Sequence, residues 1–427
     1  MAKLAGNEKL IVGLDITDEY TQLSFLVWDG NMENLSDIVG GEDYNIPTVL
    51  CKRPEVNQWY YGEEARDYAD ENDLEPITGL YTMAVKGESI VIEEREYEAV
   101  ALLTLFVRRS LGLLSQVANP DKVQGFMVTC PELNHESLDV LKQVMANLRI
   151  KCKNIGFQSH TESFYSYMVH QDRELWMKTV LLCDYKNADM TVYRMECNRR
   201  TKPIVVFVDR QEIPFSSYYP IPEDDYEKNR KFILLDKEFA LLSERLVSGG
   251  NISSVYLVGQ EFGDGWMKES IKVLCKGRRV FQGSNLYCKG ACYGMMERLS
   301  ENDENRDHVF LGNDKLKANV GIRIHKNGEE VYMPLMDAGV NWFEAENDIQ
   351  AYINGGNRIE LVITPLLGQK ARNHVLNLKD FGSGLTRIRI RTSMKGEKTL
   401  LFSAQDMGLG EFREPVVGTW TEEIELY

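Results

Sequence analysis

The sequence lacks long apolar runs and is poor in positive charge. No stretch reaches eighteen apolar residues, and the first residues, Met1 to Glu8, lack the apolar segment of a signal peptide. Lysine and arginine total 49 against 65 acidic residues, which gives a net charge of −16. Such a charge repels phosphate backbones and anionic lipid surfaces. We therefore expect a cytoplasmic protein that binds neither nucleic acid nor membrane.

Cysteine and histidine are present, but their spacing is not typical of a metal site or a disulfide framework. The 8 cysteines are scattered and lie mostly inside apolar runs, as buried reduced thiols do. Cys288 and Cys292 could share one face of a helix, yet none of the 6 histidines lies at finger-like spacing. We predict core thiols, no disulfide and no metal site.

The first motif in the sequence is a β-hairpin with an acidic turn. An apolar strand, Leu10 to Ile16, is followed by Thr17-Asp18-Glu19-Tyr20-Thr21 and by a second strand, Gln22 to Trp28. Gly13 and Asp15 resemble the start of the first phosphate motif, Gly-x-Asp-x-Gly-Thr-Thr, of the actin, sugar-kinase and heat-shock-chaperone ATPases. Thr17, Asp18 and Glu19 stand where that superfamily wraps the phosphates.

Further motifs, in the same order, resemble the seventy-kilodalton heat-shock chaperones (DnaK-like) over essentially the whole chain. The matching segments are Ile46 to Val49, Tyr61 to Ala65, Phe126 to Pro131, Leu181 to Asp184, Val255 to Gly259 and Lys289 to Ala291. Leu181 to Asp184 resembles the start of the second phosphate motif, and Val255 to Gly259 resembles the adenosine-side strand. Lys186-Asn187-Ala188 and Gln260 replace residues that are mostly glycine in the family.

The resemblance implies an α/β fold: a duplicated ribonuclease-H-like (actin-like ATPase) fold followed by a C-terminal β-sandwich. The residue pattern agrees with this expectation. We predict a long helix over Glu94 to Val117, then strand 123–130, helix 135–148 and strand 150–157, with a second strand-rich unit from Thr179. These elements predict lobe I over about 1–175 and lobe II over about 176–300, within a domain at 1–305.

The C-terminal part of the sequence predicts a separate domain at 306–427. A polar charged run, Ser300 to Asp307, is typical of a linker. Val309-Phe310-Leu311 resembles the hydrophobic linker of the chaperones. Strand patterns follow, with a hairpin turn at Asn327-Gly328 and an alternation of isoleucine and arginine over Arg387 to Arg391. We predict a β-sandwich that resembles a chaperone substrate-binding domain and carries no helical lid.

The resemblance also implies the site residues. Asp15, Asp184, Glu162 and Lys86 match positions that assist ATP hydrolysis in the family and are vestigial catalytic candidates. The positions that would face a bound nucleotide are Gly13, Thr17, Asp18, Glu19, Lys186, Asn187, Gly259 and Gln260. Two other interpretations remain open for the aspartates: a repurposed acid cluster with raised pKa values, or simple caps of turns at strand ends.

The substituted loops predict weak ATP binding. Backbone N–H groups that approach phosphate closely are usually carried by glycine, and Thr17 and Lys186 each place a Cβ there. Two like charges about 4 Å apart repel by roughly 1 kcal/mol in water and roughly 4 kcal/mol in a partly shielded cleft. Asp18 and Glu19 would therefore oppose phosphate, unless their turn points away or Mg²⁺ bridges them to it.

These observations favour a chaperone-like protein with a degenerate nucleotide site, a pseudo-ATPase without a cofactor that binds a protein or peptide through its C-terminal β-sandwich. The alternative is an active chaperone-type ATPase that binds ATP with Mg²⁺ through an unusual phosphate loop. A sugar or small-metabolite kinase is disfavoured because that branch has no β-sandwich. Trp342 could contact the partner, since aromatic side chains supply much interface energy, or it could lie in the domain core.

Overall fold

The structure is a computed structural model with two compact units, Met1–His308 and Val309–Tyr427. It describes residues 10–27, 32–35, 44–117, 122–186, 189–200, 202–215, 224–263, 265–300, 307–326, 328–354, 358–366, 370–378 and 384–427. The N-terminal unit is mixed α/β, as predicted, and the C-terminal unit is rich in sheet. Among the described residues, no helix is long and apolar enough to cross a membrane.

The first half of the N-terminal unit is built on a mixed sheet. Its described elements are β1 (Leu10–Ile16), β2 (Tyr20–Val27), β3 (Met32–Leu35), β4 (Ile46–Pro47), β5 (Leu50–Lys52), β6 (Trp59–Tyr61), α1 (Gly62–Glu71), α2 (Leu80–Lys86), β7 (Ser89–Ile92), β8 (Arg95–Glu98), α3 (Ala99–Leu111), α4 (Leu114–Val117), β9 (Val123–Cys130), α5 (His135–Leu148), β10 (Asn154–Ser159) and α6 (His160–Val169). The main sheet has the order β10-β9-β1-β2-β3, and β4 pairs with β2. Every residue of β1 is buried, as expected for a central strand.

The second half of the N-terminal unit contains another mixed sheet. Its described elements are β11 (Thr179–Lys186), β12 (Asp189–Asn198), β13 (Ile204–Pro214), α7 (Asp225–Val247), β14 (Ile252–Val258), α8 (Glu269–Cys275), β15 (Arg279–Gln282) and α9 (Leu286–Leu299). These strands have the order β15-β14-β11-β12-β13. An apolar cluster that includes Tyr185, Phe239, Phe262 and Trp266 packs on this half.

The two sheets share one strand order. In each, the first strand is central, with an antiparallel neighbour that continues the sheet on one side and two parallel strands on the other. The parallel strands are reached through helices, as parallel pairing requires. β1 and β11 therefore occupy equivalent places, and each carries an aspartate near its carboxyl end, Asp15 and Asp184.

Helix α9 packs closely on α6 and on β1 because glycine lies at both contacts. A Cβ at Gly13 would lie 2.1 Å from the carbonyl oxygen of Cys288, and one at Gly290 would lie 1.9 Å from that of Ser163. No side chain fits at such distances in a close-packed interior. The structure thus shows that strand–helix packing requires glycine at position 13.

The C-terminal unit consists of two antiparallel sheets around one apolar core. After β16 (His308–Phe310), its strands are β17 (Ala318–Lys326), β18 (Glu329–Met336), β19 (Glu346–Ile353), β20 (Arg358–Pro365), β21 (Arg372–Asn377), β22 (Thr386–Met394), β23 (Thr399–Gly408) and β24 (Thr419–Glu425). The sheet orders are β18-β17-β20-β21 and β19-β22-β23-β24. The shared core includes Ile322, Ile390 and Phe402. Trp342 also lies in this core, so of its two predicted roles the structure supports burial rather than contact with a partner.

Some predicted elements differ from the structure. The helix expected over Glu94 to Val117 is broken into α3 and α4, and its first residues instead form β8. The first residues are not helical because Glu93 and Glu94 form a hairpin turn, and their φ angles of 49° and 64° cannot continue a right-handed helix. In the predicted hydrophobic linker, Phe310 and Leu311 are buried.

Candidate functional site

A cavity of about 1060 Å³ lies in the N-terminal unit at the carboxyl ends of β1 and β11. We call it the cleft. Its walls include Asp15, Thr17, Asp184, Lys186, Gly259 and Asn285. Crevices beyond the carboxyl ends of parallel strands are where open α/β sheets bind ligands. The cleft is therefore the candidate functional site.

Asp15 is held by a histidine that the sequence interpretation did not include. His160, the first residue of α6, lies with its Nε2 2.7 Å from Oδ1 of Asp15, and both side chains are buried. A buried carboxylate is stable only when such partners replace its lost hydration. Asp15 thus has an internal partner before any ligand enters the cleft.

Asp184 has two internal partners on one of its oxygens. Nζ of Lys186 lies 3.2 Å from Oδ2 of Asp184, and the Tyr287 hydroxyl donates a hydrogen bond of 2.9 Å to the same atom. Burial disfavours the charged amine, but Asp184 and Asp15 more than offset this, so the pKa of Lys186 is raised. The lysine therefore remains a cation beside the aspartate.

Tyr287 connects the two aspartate clusters. Its ring stacks on His160 with centroids 3.7 Å apart and planes 7° apart, while its hydroxyl is bonded to Asp184. Burial and the charge of Asp184 raise the pKa of Tyr193 to about 12 and raise that of Tyr287 well above its ordinary value. Neither phenol is ionised near neutral pH, so neither is a general base.

Two buried oxygens beside the cleft have no hydrogen-bond partner within the described part of the chain. They are Oδ1 of Asp184 and Oδ1 of Asn285, whose residues are 4% exposed in each case. Asn285 has a positive φ of 69° and precedes α9. Buried polar atoms are nearly always paired, so both acceptors favour a ligand or water that donates hydrogen bonds.

The acidic turn after β1 closes on itself and on helix α2. The N–H and the hydroxyl of Thr17 both donate to the carbonyl oxygen of Tyr20, at 3.1 and 2.8 Å. Asp18 accepts the Thr82 N–H at 2.9 Å and also the Thr82 hydroxyl, so it caps α2. Asp18 and Glu19 line the cleft, but the Asp18 charge is already bound by the first turn of a helix.

Gly259 and Gln260, the positions predicted to face the adenosine side of a nucleotide, both line the cleft. Close packing explains the glycine. Gly259 has a φ of 110°, and a Cβ there would lie 2.1 Å from the carbonyl oxygen of Tyr185. Gln260 follows in a short 3-10 turn and also lines the cleft. Asn187, the remaining predicted loop position, lies outside the described residues. Lys186 does face the cleft, as an ion-pair partner of Asp184 rather than as an obstacle alone.

Three predicted site residues do not line the cleft. Gly13 lies beneath α9, Lys86 is exposed at the end of α2, and Glu162 is buried in the first turn of α6. Lys86 was predicted to orient an attacking water, and the structure places it outside the residues that line the cleft. His160, two residues before Glu162, is the α6 residue that reaches Asp15. A polar residue directly after a buried strand was the signal for it.

Both aspartates of the cleft already have partners within the chain. The Lys186 ammonium already lies beside Asp184, and His160 already lies beside Asp15. Within the described residues, no group of three or more His, Cys, Asp or Glu side chains is arranged to hold a metal ion. The walls of the cleft carry more acidic than basic side chains, and Oδ1 of Asp184 and Oδ1 of Asn285 have no hydrogen-bond partner among the described residues.

Two family models match this chain. One is described as the C-terminal part of a family of unknown function, DUF5716, and matches residues 31–313. The other is described as a domain of unknown function, DUF8552, and matches residues 315–426. The two matches meet near the boundary between the compact units. A search of curated proteins found no match.

Proposed function

The chain belongs to the DUF5716 family of unknown function, and we propose that it is a chaperone-like binding protein whose cleft has lost ATPase chemistry. Its N-terminal unit is the scaffold, and its C-terminal unit binds a protein or peptide partner. The resemblance implies an ATP hydrolase, but in our proposal this chain does not hydrolyse ATP.

The repeated strand order supports the fold part of this proposal. A central first strand with antiparallel strands on one side and helix-connected parallel strands on the other occurs twice, around β1 and around β11. This repetition is what a duplicated ribonuclease-H-like fold requires. The two-sheet unit that follows is compatible with a chaperone-type β-sandwich. Function is still argued from the site, because one fold serves many functions.

One observation carries the functional part: both cleft aspartates already have a partner within the chain, His160 beside Asp15 and the Lys186 ammonium beside Asp184. A catalytic magnesium would have to displace or tolerate the Lys186 ammonium at 3.2 Å from Asp184. Like charges in a partly shielded cleft repel by several kcal/mol. The Lys186 side chain therefore acts as a built-in substitute for the cation that the family brings with its nucleotide.

The first phosphate loop offers further support. In the family, glycine-rich backbone donates N–H groups to the phosphates, whereas here the Thr17 N–H is bonded to Tyr20 within a tight turn. The carbonyl oxygen of Glu19 accepts the Thr48 N–H, which attaches the turn to the next segment. Opening this turn for phosphate would break these bonds, and each is worth about 1 kcal/mol.

The compartment and partner classes follow from charge and thiol chemistry. None of the 8 cysteines, all of which lie within the described residues, forms a disulfide, which fits a reducing compartment such as the cytoplasm. The net charge of −16 opposes binding to nucleic acid or to anionic lipid. A protein or peptide is thus the partner class that we propose.

Titration with nucleotide tests the proposal. We expect Mg-ATP and Mg-ADP at millimolar concentration to leave the melting temperature unchanged and to give no heat in calorimetry. A ligand at 100 times its dissociation constant would add about 2.7 kcal/mol of stability, which a melt detects easily. A clear shift that Asp15→Ala abolishes would overturn the pseudo-ATPase assignment.

A gain-of-function variant is the converse test. We combine Thr17→Gly, Asp18→Thr and Glu19→Thr with Lys186→Gly, Asn187→Gly and Ala188→Gly, which rebuilds both family loops. We expect partial recovery of nucleotide binding at best, because Gln260 and Glu261 still line the adenosine side. Lys276→Gly on the exposed end of α8 serves as the matched lysine-to-glycine control.

Cleft size favours a second candidate, an active ATP-binding ATPase. A volume of about 1060 Å³ reaches the upper end of small-molecule pockets. Turnover of ATP by the purified chain, lost in both Asp15→Ala and Asp184→Ala, would establish this candidate in place of the first.

A further inference from the structure

A loop of the C-terminal unit presents apolar side chains to solvent. The loop joins β23 to β24 and covers residues 409–418, and we call it the 409–418 loop. Phe412 is 95% exposed and Val417 is 98% exposed, and Val416 and the nearby Leu385 are also exposed. Single exposed apolar residues are ordinary, but a group of them at one loop is a candidate interaction site.

A buried aspartate holds this loop in place. Asp406, at the end of β23, accepts the N–H groups of Gly408 at 2.9 Å and Val416 at 3.3 Å. It also accepts a hydrogen bond from Thr386 and pairs with Arg413 at 3.1 Å. Residues from both ends of the loop are therefore anchored to one side chain.

Hydrogen bonds between backbone groups within the loop also hold its shape. The Leu409 N–H donates to the Arg413 carbonyl at 2.9 Å, and the Phe412 N–H donates to the Leu409 carbonyl at 3.2 Å. The Arg413 guanidinium also donates to the carbonyl oxygen of Leu385 at 3.3 Å, which ties Leu385 to the same surface. A surface that is already ordered loses little conformational entropy when a partner binds.

The charges around Phe412 indicate what kind of partner fits. Glu411 and Glu414 flank it and are exposed, whereas Arg413 is turned toward Asp406 and paired. The exposed rim is therefore acidic around an apolar tip. Its complement is an apolar pocket with a basic rim. The net charge of −16 disfavours an anionic bilayer or a second copy of this chain in that place.

We propose that the 409–418 loop is the surface with which the C-terminal unit docks onto a folded protein that has an apolar pocket rimmed by lysine or arginine. Phe412 and Val417 enter the pocket, and Glu411 and Glu414 face its rim. This inference rests on the proposed partner-binding function and names the surface that performs it.

Photo-crosslinking with the full chain finds the partner and separates the two proposals. The crosslinker p-benzoylphenylalanine replaces Phe412 in one variant and Tyr352 in another. Tyr352 is 67% exposed on β19, at the far edge of the same sheet. We expect a specific adduct from position 412 and none from position 352. An adduct from 352 alone overturns the loop assignment but keeps the binding function, and the absence of both overturns both.

The partner that crosslinking identifies is then purified, and its affinity for variants of this chain tests the apolar and charged contacts of the loop. We expect Phe412→Ala to raise the dissociation constant of the complex by at least tenfold and Val417→Ser to raise it severalfold. Tyr352→Ala is the control and should leave it unchanged. Glu411→Lys should weaken binding most at low salt. Equal affinity of Phe412→Ala and wild type, or a complex that does not respond to salt or to Glu411→Lys, overturns the proposal.

Two other possible binding partners of the loop, a lipid surface and a second copy of this chain, are tested directly. Phosphatidylcholine vesicles with 20% phosphatidylglycerol are sedimented with the wild-type chain, and light scattering reports its mass; we expect neither vesicle binding nor dimers. Vesicle binding that is lost in Phe412→Ala would assign the loop to a lipid surface, and a dimer lost in that variant would assign it to a second copy. Either result overturns docking onto a folded protein partner.

Discussion

Asp184 in the N-terminal unit and Asp406 in the C-terminal unit are both buried carboxylates, yet they are used differently. Asp406 has partners on both oxygens: Thr386 and Gly408 on Oδ1, and Arg413 and Val416 on Oδ2. Asp184 has Lys186 and Tyr287 on Oδ2 and no described partner on Oδ1.

The difference separates a structural carboxylate from one available to a ligand. Burial alone would raise the pKa of Asp406, but hydrogen bonds from Thr386 and from backbone N–H groups lower it below its ordinary value. A side chain with every acceptor filled stabilises its loop. An acceptor left unfilled costs stability, and proteins tend to keep such a cost at functional sites.

The largest expected effect comes from Asp406→Asn. This change removes a charge that accepts several hydrogen bonds, and bonds to charged groups are worth about 1.5–3 kcal/mol. We expect the free energy of unfolding of the full chain to fall by about 2–3 kcal/mol in urea titrations. A loss smaller than that of an exposed control, Asp67→Asn on α1, would contradict the structural role of Asp406.

Low pH should remove the contribution of Asp406 to the free energy of unfolding without any mutation. Because the folded-state pKa of Asp406 lies below that of the unfolded chain, its stabilisation is complete above about pH 5 and is lost as the pH falls below about 4. The stability difference between wild type and Asp406→Asn should therefore be constant from pH 5 to 8 and shrink in more acidic buffer. A difference that grew on acidification would reverse the sign and refute the assignment.

Lys186→Met tests the internal cation of the cleft. Removal of the ammonium leaves Asp184 with only Tyr287, but the lysine side chain is 34% exposed, so solvent screening limits the loss to about 1 kcal/mol. We expect that decrease in urea titrations. Lys272→Met on exposed α8 is the control and should change stability by less than about 0.5 kcal/mol.

The smallest effect is expected from Asp184→Asn. An asparagine can still accept the Tyr287 hydrogen bond through its remaining oxygen, and the oxygen that the amide replaces has no described hydrogen bond to lose. The change in unfolding free energy should stay below about 1 kcal/mol. If Asp184→Asn cost as much as Asp406→Asn in parallel titrations, the contrast between the two carboxylates would disappear.

Prediction from sequence succeeded where the pattern was local. The strand at Leu10 to Ile16 and the alternating isoleucines of β22 follow from burial of a whole strand or of one face. Asn327 of the predicted hairpin turn lies outside the described residues. Prediction failed at Glu93 and Glu94, where a positive-φ turn interrupts a helical pattern. Apolar spacing gives no information about such a turn.

The residues of the cleft were predicted in part, from the resemblance to the family motifs. Asp15, Thr17, Asp184, Lys186, Gly259 and Gln260 were named from motif order, and they do line one cavity. Lys86 and Glu162 were also named from the resemblance, and they do not line this cavity. His160 and Tyr287, which hold the aspartates, were not predicted.

The sequence by itself determined the strand-end positions of the two aspartates and the acidic turn, because period-2 burial and turn residues act over a few positions. Only the tertiary structure decided their partners. His160 reaches Asp15 across 145 residues, Tyr287 reaches Asp184 across 103, and Thr82 binds Asp18 across 64. Local propensity carries no information about such pairs, because packing of whole elements brings them together.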